Sequence, residues 1–147
     1  MNRMTNRSAR TIRACAAALA VLGFARAEAQ GRDGAAMLDV RMVEARAEPG
    51  PNDPRLNDIR GELQRNLPYG AFEMKERAAV SAVDGVAHMG AYTLRASGGA
   101  HACQVTIEHK GRVLVQTRLR LQPGKPAVLG GFANERGHRI LFVILAR

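Results

Sequence analysis

Seven consecutive residues near the C-terminus, Ile140 to Ala146 (ILFVILA), carry no polar group. Such a run admits few folds. A membrane-spanning helix needs roughly 20 apolar residues, so this segment is too short to be one. A lone strand cannot span either, because its backbone groups would lack partners in lipid. In water, a short segment apolar on both alternating faces reads as an inner strand covered on each side. It therefore predicts a central strand, with a helix on one face and a second sheet layer or loop on the other.

The helix is legible upstream. In DPRLNDIRGELQRNL, residues 53–67, Asp53 suits the N-cap and Pro54 the first helical position, where a missing N–H costs nothing. Leu56, Ile59, Leu63 and Leu67 fall on one stripe. Gly61 within it suggests close packing against a sheet, and Pro68 ends it.

Elsewhere the period is two, the signature of half-buried strands. Leu38, Val40 and Met42 alternate with Asp39 and Arg41, and Phe72, Met74, Ala78 and Val80 share one face of residues 71–80. HMGAYTLRA, residues 88–96, reads as a single strand. HACQVTIEHKGRVLVQTRLRL, residues 101–121, reads as a hairpin turning at Lys110-Gly111. Its first arm sets Cys103, Val105 and Ile107 against Gln104, Thr106 and Glu108. Its second sets Val113, Val115, Thr117, Leu119 and Leu121 against a wet face of Arg112, Gln116, Arg118 and Arg120. After the PGKP turn, Gly130-Gly131 signals a bulge or a close backbone approach, and in a functional variant a place to admit a partner's strand. The expected fold is α+β. One amphipathic helix packs on a mostly antiparallel sheet, or on a small sandwich of six to seven strands, across residues 37–147.

The opposite end differs from the rest. Arg3, Arg7, Arg10 and Arg13 precede an apolar stretch from Cys15 to Ala25, followed by Ala27-Glu28-Ala29. A basic opening, a short apolar run and a small-x-small site predict a secretory signal peptide over residues 1–29, cleaved after Ala29. An alternative cut follows Ala27. Residues 30–36 read as a flexible leader. The expected location is therefore the periplasm or beyond, with no stable membrane span once the signal is removed. Cleavage also lowers the formal charge, since five arginines and one acid lie in residues 1–29 of a chain that totals +9. The remainder, at +5, has dispersed arginines and few aromatics, which argues against a nucleic-acid partner. Only Cys103 would survive, so no internal disulfide could staple the fold.

Catalytic motifs are missing from the sequence. Ser81 and Ser97 lack a G-x-S-x-G context, and no phosphate-binding glycine loop or H-E-x-x-H occurs. His101 and Cys103, two apart on an expected strand, are the one pairing that hints at a metal. His109 lies too far along the same strand to join them, and a structural zinc site needs four ligands. The residues thus predict neither enzyme nor cofactor nor metal centre.

The order D-P-R-L-x-x-I-x-x-x-L, strands, P-G-x-P-x-V-L-G-G and an apolar last strand resembles small exported proteins of Gram-negative bacteria. KPAVLGGFANERG with ILFVILA is similar to a late segment of outer-membrane secretins, which implies a link to envelope assembly or secretion and transfers no catalytic residue. The resulting expectation is a non-catalytic binding or accessory protein of the envelope. Arg118 and Arg120 on the wet face, and Gly130 and Gly131, are its candidate contacts with a partner protein. A periplasmic small-ligand binder with a pocket between helix and sheet is the alternative, ahead of a metal carrier or small enzyme using His101 and Cys103.

Overall fold

In the computed structural model, which describes residues 36–147, ILFVILA forms most of strand β8 (Arg139–Ala146). One neighbour is β1 (Met37–Arg46), where Val40 lies opposite Ile144 and Met42 opposite Phe142. The other is β7 (Ala127–Ala133), where Leu129 lies opposite Phe142. With β2 (Ala71–Ser81) beyond β1, this sheet runs β2-β1-β8-β7, and β8 is an inner strand. The second sheet is a meander of β3 (Val86–Met89), β4 (Tyr92–Ser97), β5 (Cys103–His109) and β6 (Arg112–Leu119). Every pairing is antiparallel. The signal peptide and most of the leader expected from the sequence lie outside the described residues.

Alternation sorts β8 into two sets of contacts. Ile140, Phe142, Ile144 and Ala146 enter a core shared with Leu38 and Val40 of β1, Leu94 of β4, and Val105 and Ile107 of β5. Leu141 and Val143 face the other way, onto Leu56, Ile59 and Leu63. Each such side chain, fully buried, stabilises the fold by about 1.5–3 kcal/mol. The molecule is thus a two-sheet sandwich with a small helical cover on the outside of its first sheet.

The α+β expectation is overturned. Among the described residues the fold is mostly β, with eight strands in two antiparallel sheets and one short helix. Two local causes account for the difference. HMGAYTLRA is two strands rather than one, because Gly90 adopts φ +57 and closes a tight turn that pairs Met89 with Tyr92. The expected helix over 53–67 shortens to a 3-10 turn, Pro54–Leu56, and a seven-residue α1, Arg60–Asn66. Asp53 does cap the turn, accepting from the Arg55 amide at 2.9 Å. Leu56, Ile59 and Leu63 are buried as the stripe requires. Gly61, however, touches nothing: a Cβ there would meet no atom within 4 Å, so it marks no close packing.

Two bulges also move side chains off their expected faces. In β2 the register jumps so that Met42 faces Glu76 and Val43 faces Met74, leaving Lys75 extra. Phe72 and Met74 consequently lie under the helical cover, while Val80 lies in the core between the sheets. In β6, Ile107 pairs with Val115 but Glu108 with Val113, leaving Leu114 extra. Val113 turns outward and is 51% exposed instead of joining Val115 and Leu119.

Beside the helical cover, a buried ion network fastens α1's approach to the sheet. Arg41 makes a bidentate pair with Asp58, both bonds 2.6 Å, and also bonds Asp39 at 2.9 and 3.1 Å. Asp39 accepts further bonds from Arg77 at 2.7 Å and Arg147 at 3.0 Å. Burial alone would raise the Asp39 pKa, but Arg77, Arg41 and Arg147 outweigh it and bring it down to about 2. Arg41 likewise binds its proton more tightly, chiefly through Asp58. The pull of Arg41 on Asp58 falls where the helix is interrupted, between Leu56 and Arg60.

Urea unfolding reads each consequence of these contacts. Phe142→Ala should cost about 3–5 kcal/mol, whereas Gly61→Ala should stabilise by roughly 0.5–1 kcal/mol because the helix gains propensity and nothing clashes. Asp39 has a folded pKa below its ordinary value, so its contribution is complete above about pH 4 and is lost as pH falls towards 2. Asp39→Asn removes the anion that Arg41, Arg77 and Arg147 share but leaves Arg41 its bidentate partner Asp58, so it should cost about 1.5–3 kcal/mol at neutral pH and flatten that acid limb.

Candidate functional site

Charge is unevenly shared between the two sheets. Residues 37–84, which build β1, β2 and the helical cover, hold nine acids and seven lysines or arginines. Their ions largely satisfy one another: Arg41, Arg46, Arg55, Arg65, Lys75 and Arg77 all pair with carboxylates of this same segment. Residues 86–125, which build the second sheet, hold six lysines or arginines and a single acid, Glu108. Glu108 lies 3.6 Å from Arg95. Among the described residues no carboxylate reaches ion-pair distance of Arg118 or Arg120, and both are exposed.

Strand β6 positions Arg118. It is the edge of the second sheet, bonded only to β5, so the outer row of its backbone N–H and C=O groups has no strand beside it. From Val115 to Leu119 its register is unbroken: Val115 opposes Ile107, Thr117 opposes Val105, and Leu119 opposes Cys103. Val115 and Leu119 pack against the core but stay half-buried, because no strand covers their outer flank. On the opposite face Arg118 stands across from Gln104 and Gln116 across from Thr106. Gln104, Gln116, Thr117 and Arg118 line a shallow depression there. A second open depression joins Arg118 to Arg120, His101 and Gln122 beyond the end of the strand.

Among the described residues the other edge strands carry no unpaired arginine. β3 has only four residues, and β2 is broken by the bulge at Lys75. β7 is broken at Gly131, where Gly130 opposes Leu141 and Phe132 opposes Ile140. Gly130 sits at φ +126, and a Cβ there would lie 2.6 Å from the Ile140 carbonyl oxygen. The close approach at Gly130-Gly131 is therefore made to the chain's own hairpin partner, and the Arg139 guanidinium donates to the Gly131 carbonyl at 3.1 Å. Arg118 and the two glycines occupy the edge strands of different sheets.

His101 and Cys103 do not converge. His101 lies on an exposed 3-10 turn, Ala100–Ala102, and only Cys103 belongs to β5. The thiol is fully buried with Sγ 3.9 Å from the Ala82 carbonyl, and burial pushes its pKa up, which disfavours the thiolate needed for reaction or ligation. Among the described residues no three His, Cys, Asp or Glu side chains gather to hold a metal ion. No helix among them is long and apolar enough to cross a membrane.

Gln104 was invisible to sequence reasoning as a neighbour of Arg118. Strand alternation places Gln104 and Gln116 on the wet face, but only the pairing register brings Gln104 beside Arg118. No family model matches the chain, and neither a curated protein nor a solved structure gives a match.

Proposed function

We propose that this protein is an exported, non-catalytic binding module of the bacterial envelope that docks an acidic, extended segment of a partner protein along β6. One observation carries the reading: an edge strand whose register runs unbroken from Val115 to Leu119 carries Arg118 and leads to Arg120, neither paired with a carboxylate among the described residues, in a sheet whose own segment has six cations and one acid. An added strand would satisfy the free backbone row and extend the sheet, as in recognition by strand addition. Because strand side chains alternate, the fitting segment alternates too. Apolar residues on one side would complete the cover over Val115 and Leu119. Acidic residues on the other would meet Arg118 and, past the strand end, Arg120. Charge complementarity of this kind sets register and speeds encounter more than it adds affinity. The signal-like residues 1–29 support export, and the likeness of KPAVLGGFANERG to a secretin segment supports an assembly or secretion complex as the setting. Gly130 and Gly131, held by their own hairpin, contribute shape to the other edge of the fold.

Site-specific photocrosslinking from position 116, in cells exporting the full chain, tests the reading. A discrete adduct should form, weaken with added salt, and fall at least tenfold in the Arg118→Glu, Arg120→Glu double variant. No adduct, or one indifferent to the charge reversal, would contradict it.

A further inference from the structure

The two sheets part at the end where the β3–β4, β5–β6 and β7–β8 turns meet, leaving an open groove of about 450 Å³. That size lies within the range of small-molecule sites. The partner-docking edge uses none of it. Tyr92 and His109, opposite each other on β4 and β5, pack ring against ring with centroids 4.6 Å apart and a tilt of 37°, and this pair lines one side. The Tyr92 ring is held from behind, edge-on to Phe142 at 5.4 Å and stacked on Phe132 at 6.3 Å. Its orientation is thus fixed by the core before anything binds, which removes an ordering cost from association. Burial also raises the phenol pKa, keeping it an O–H donor at neutral pH.

The polar groups at this mouth are not equivalent. Glu44 is almost fully buried and already occupied: Asn134 Nδ2 donates to it at 3.1 Å, Arg46 Nε donates at 3.2 Å, and His138 Nδ1 lies 3.0 Å away. Burial would raise its pKa, but His138, Arg46 and Lys75 hold it below the usual carboxylate range. Lys75 is committed to Glu73 at 3.0 Å and lies 3.8 Å from Glu44. Lys110 and Arg136, from two different turns, line the groove and pair with no carboxylate among the described residues. Glu135, exposed on the same rim, opposes them.

A preset aromatic wall beside two uncommitted cations selects for a flat ring bearing a negative charge. We infer that this groove binds a small planar aromatic anion, its ring against Tyr92 and His109 and its carboxylate or phosphate between Lys110 and Arg136. Contact with the Tyr92–His109 pair contributes apolar burial and edge-to-face attraction, and the cations fix which end of the ligand points outward. Glu135 is then a brake on affinity rather than part of the site. The sequence hides the arrangement because its parts come from three turns that only the sandwich brings together.

Two-dimensional amide NMR titration of the mature protein with 2-naphthoate tests the inference, with acetate as charge without ring and 2-naphthol as ring without charge. Saturable shifts should cluster at residues 90–92, 109–111 and 133–136 with 2-naphthoate, while both controls bind at least tenfold more weakly. Arg136→Glu with Lys110→Asp should weaken 2-naphthoate at least tenfold; aspartate tolerates the φ of +50 at Lys110, so the turn survives. Glu135→Gln should tighten binding two- to fivefold. No saturable shifts, shifts centred elsewhere, equal binding of either control, or charge variants without effect would each overturn the site. Preserved peak dispersion in the variants separates loss of the site from loss of the fold.

Discussion

Strand β8 is covered on both faces, and the remaining architecture can be understood as the means of covering it. A run from Ile140 to Ala146 with no polar side chain needs apolar neighbours above and below as well as hydrogen-bonded strands on either side. The chain supplies β1 and β7 in the plane, the meander β3-β4-β5-β6 on one face, and Leu56, Ile59 and Leu63 on the other. Because α1 has only seven residues, it has little helical stability of its own and depends on that packing. The bidentate pair between buried Arg41 and exposed Asp58 adds a directional tie where the apolar contact is small, and it makes this corner of the fold sensitive to acid.

Satisfying that corner has an electrostatic consequence for the other sheet. Acidic residues are concentrated in the segment that forms β1, β2 and the helical cover, and there they are consumed by neighbouring arginines and lysines. The meander inherits cations with almost no anions of its own. Unpaired arginines on a solvated strand are ordinary; here they lie along and just past the continuous Val115–Leu119 part of a free edge, with half-covered apolar residues behind it, and the proposed docking rests on that combination. The groove at the sandwich mouth has a related origin, since its turns contribute Lys110 and Arg136 while the buried Glu44 carboxylate that lines it is held in its own network.

How much of this was legible in the sequence depends on whether the signal is local. The inner strand was legible because seven successive apolar residues leave few alternatives. The turn at Lys110-Gly111 and the capping role of Asp53 were legible because each depends on two or three adjacent residues. The bulges at Lys75 and Leu114 were not, since one extra residue leaves the composition unchanged while turning Phe72 and Val113 to a different face. The shortened helix was not, because its interruption coincides with an ion pair between residues 17 positions apart in the chain. Gly90 did carry a signal within HMGAYTLRA, and reading it as a turn would have given the eighth strand. Arg118 and Arg120 were legible as exposed cations, but their lack of partners became visible only with the pairing of the whole domain.

Native-state amide hydrogen exchange tests the dependence on β8 most directly. If two-sided burial of this strand holds the domain together, the amides of Phe142 and Ile144, with those of Val40 and Met42 beside them, should be the slowest to exchange. Their opening free energy should equal the global unfolding free energy from denaturant. Exchange of Phe142 and Ile144 as fast as that of the edge strands β3 and β6, at a free energy well below global unfolding, would contradict the account.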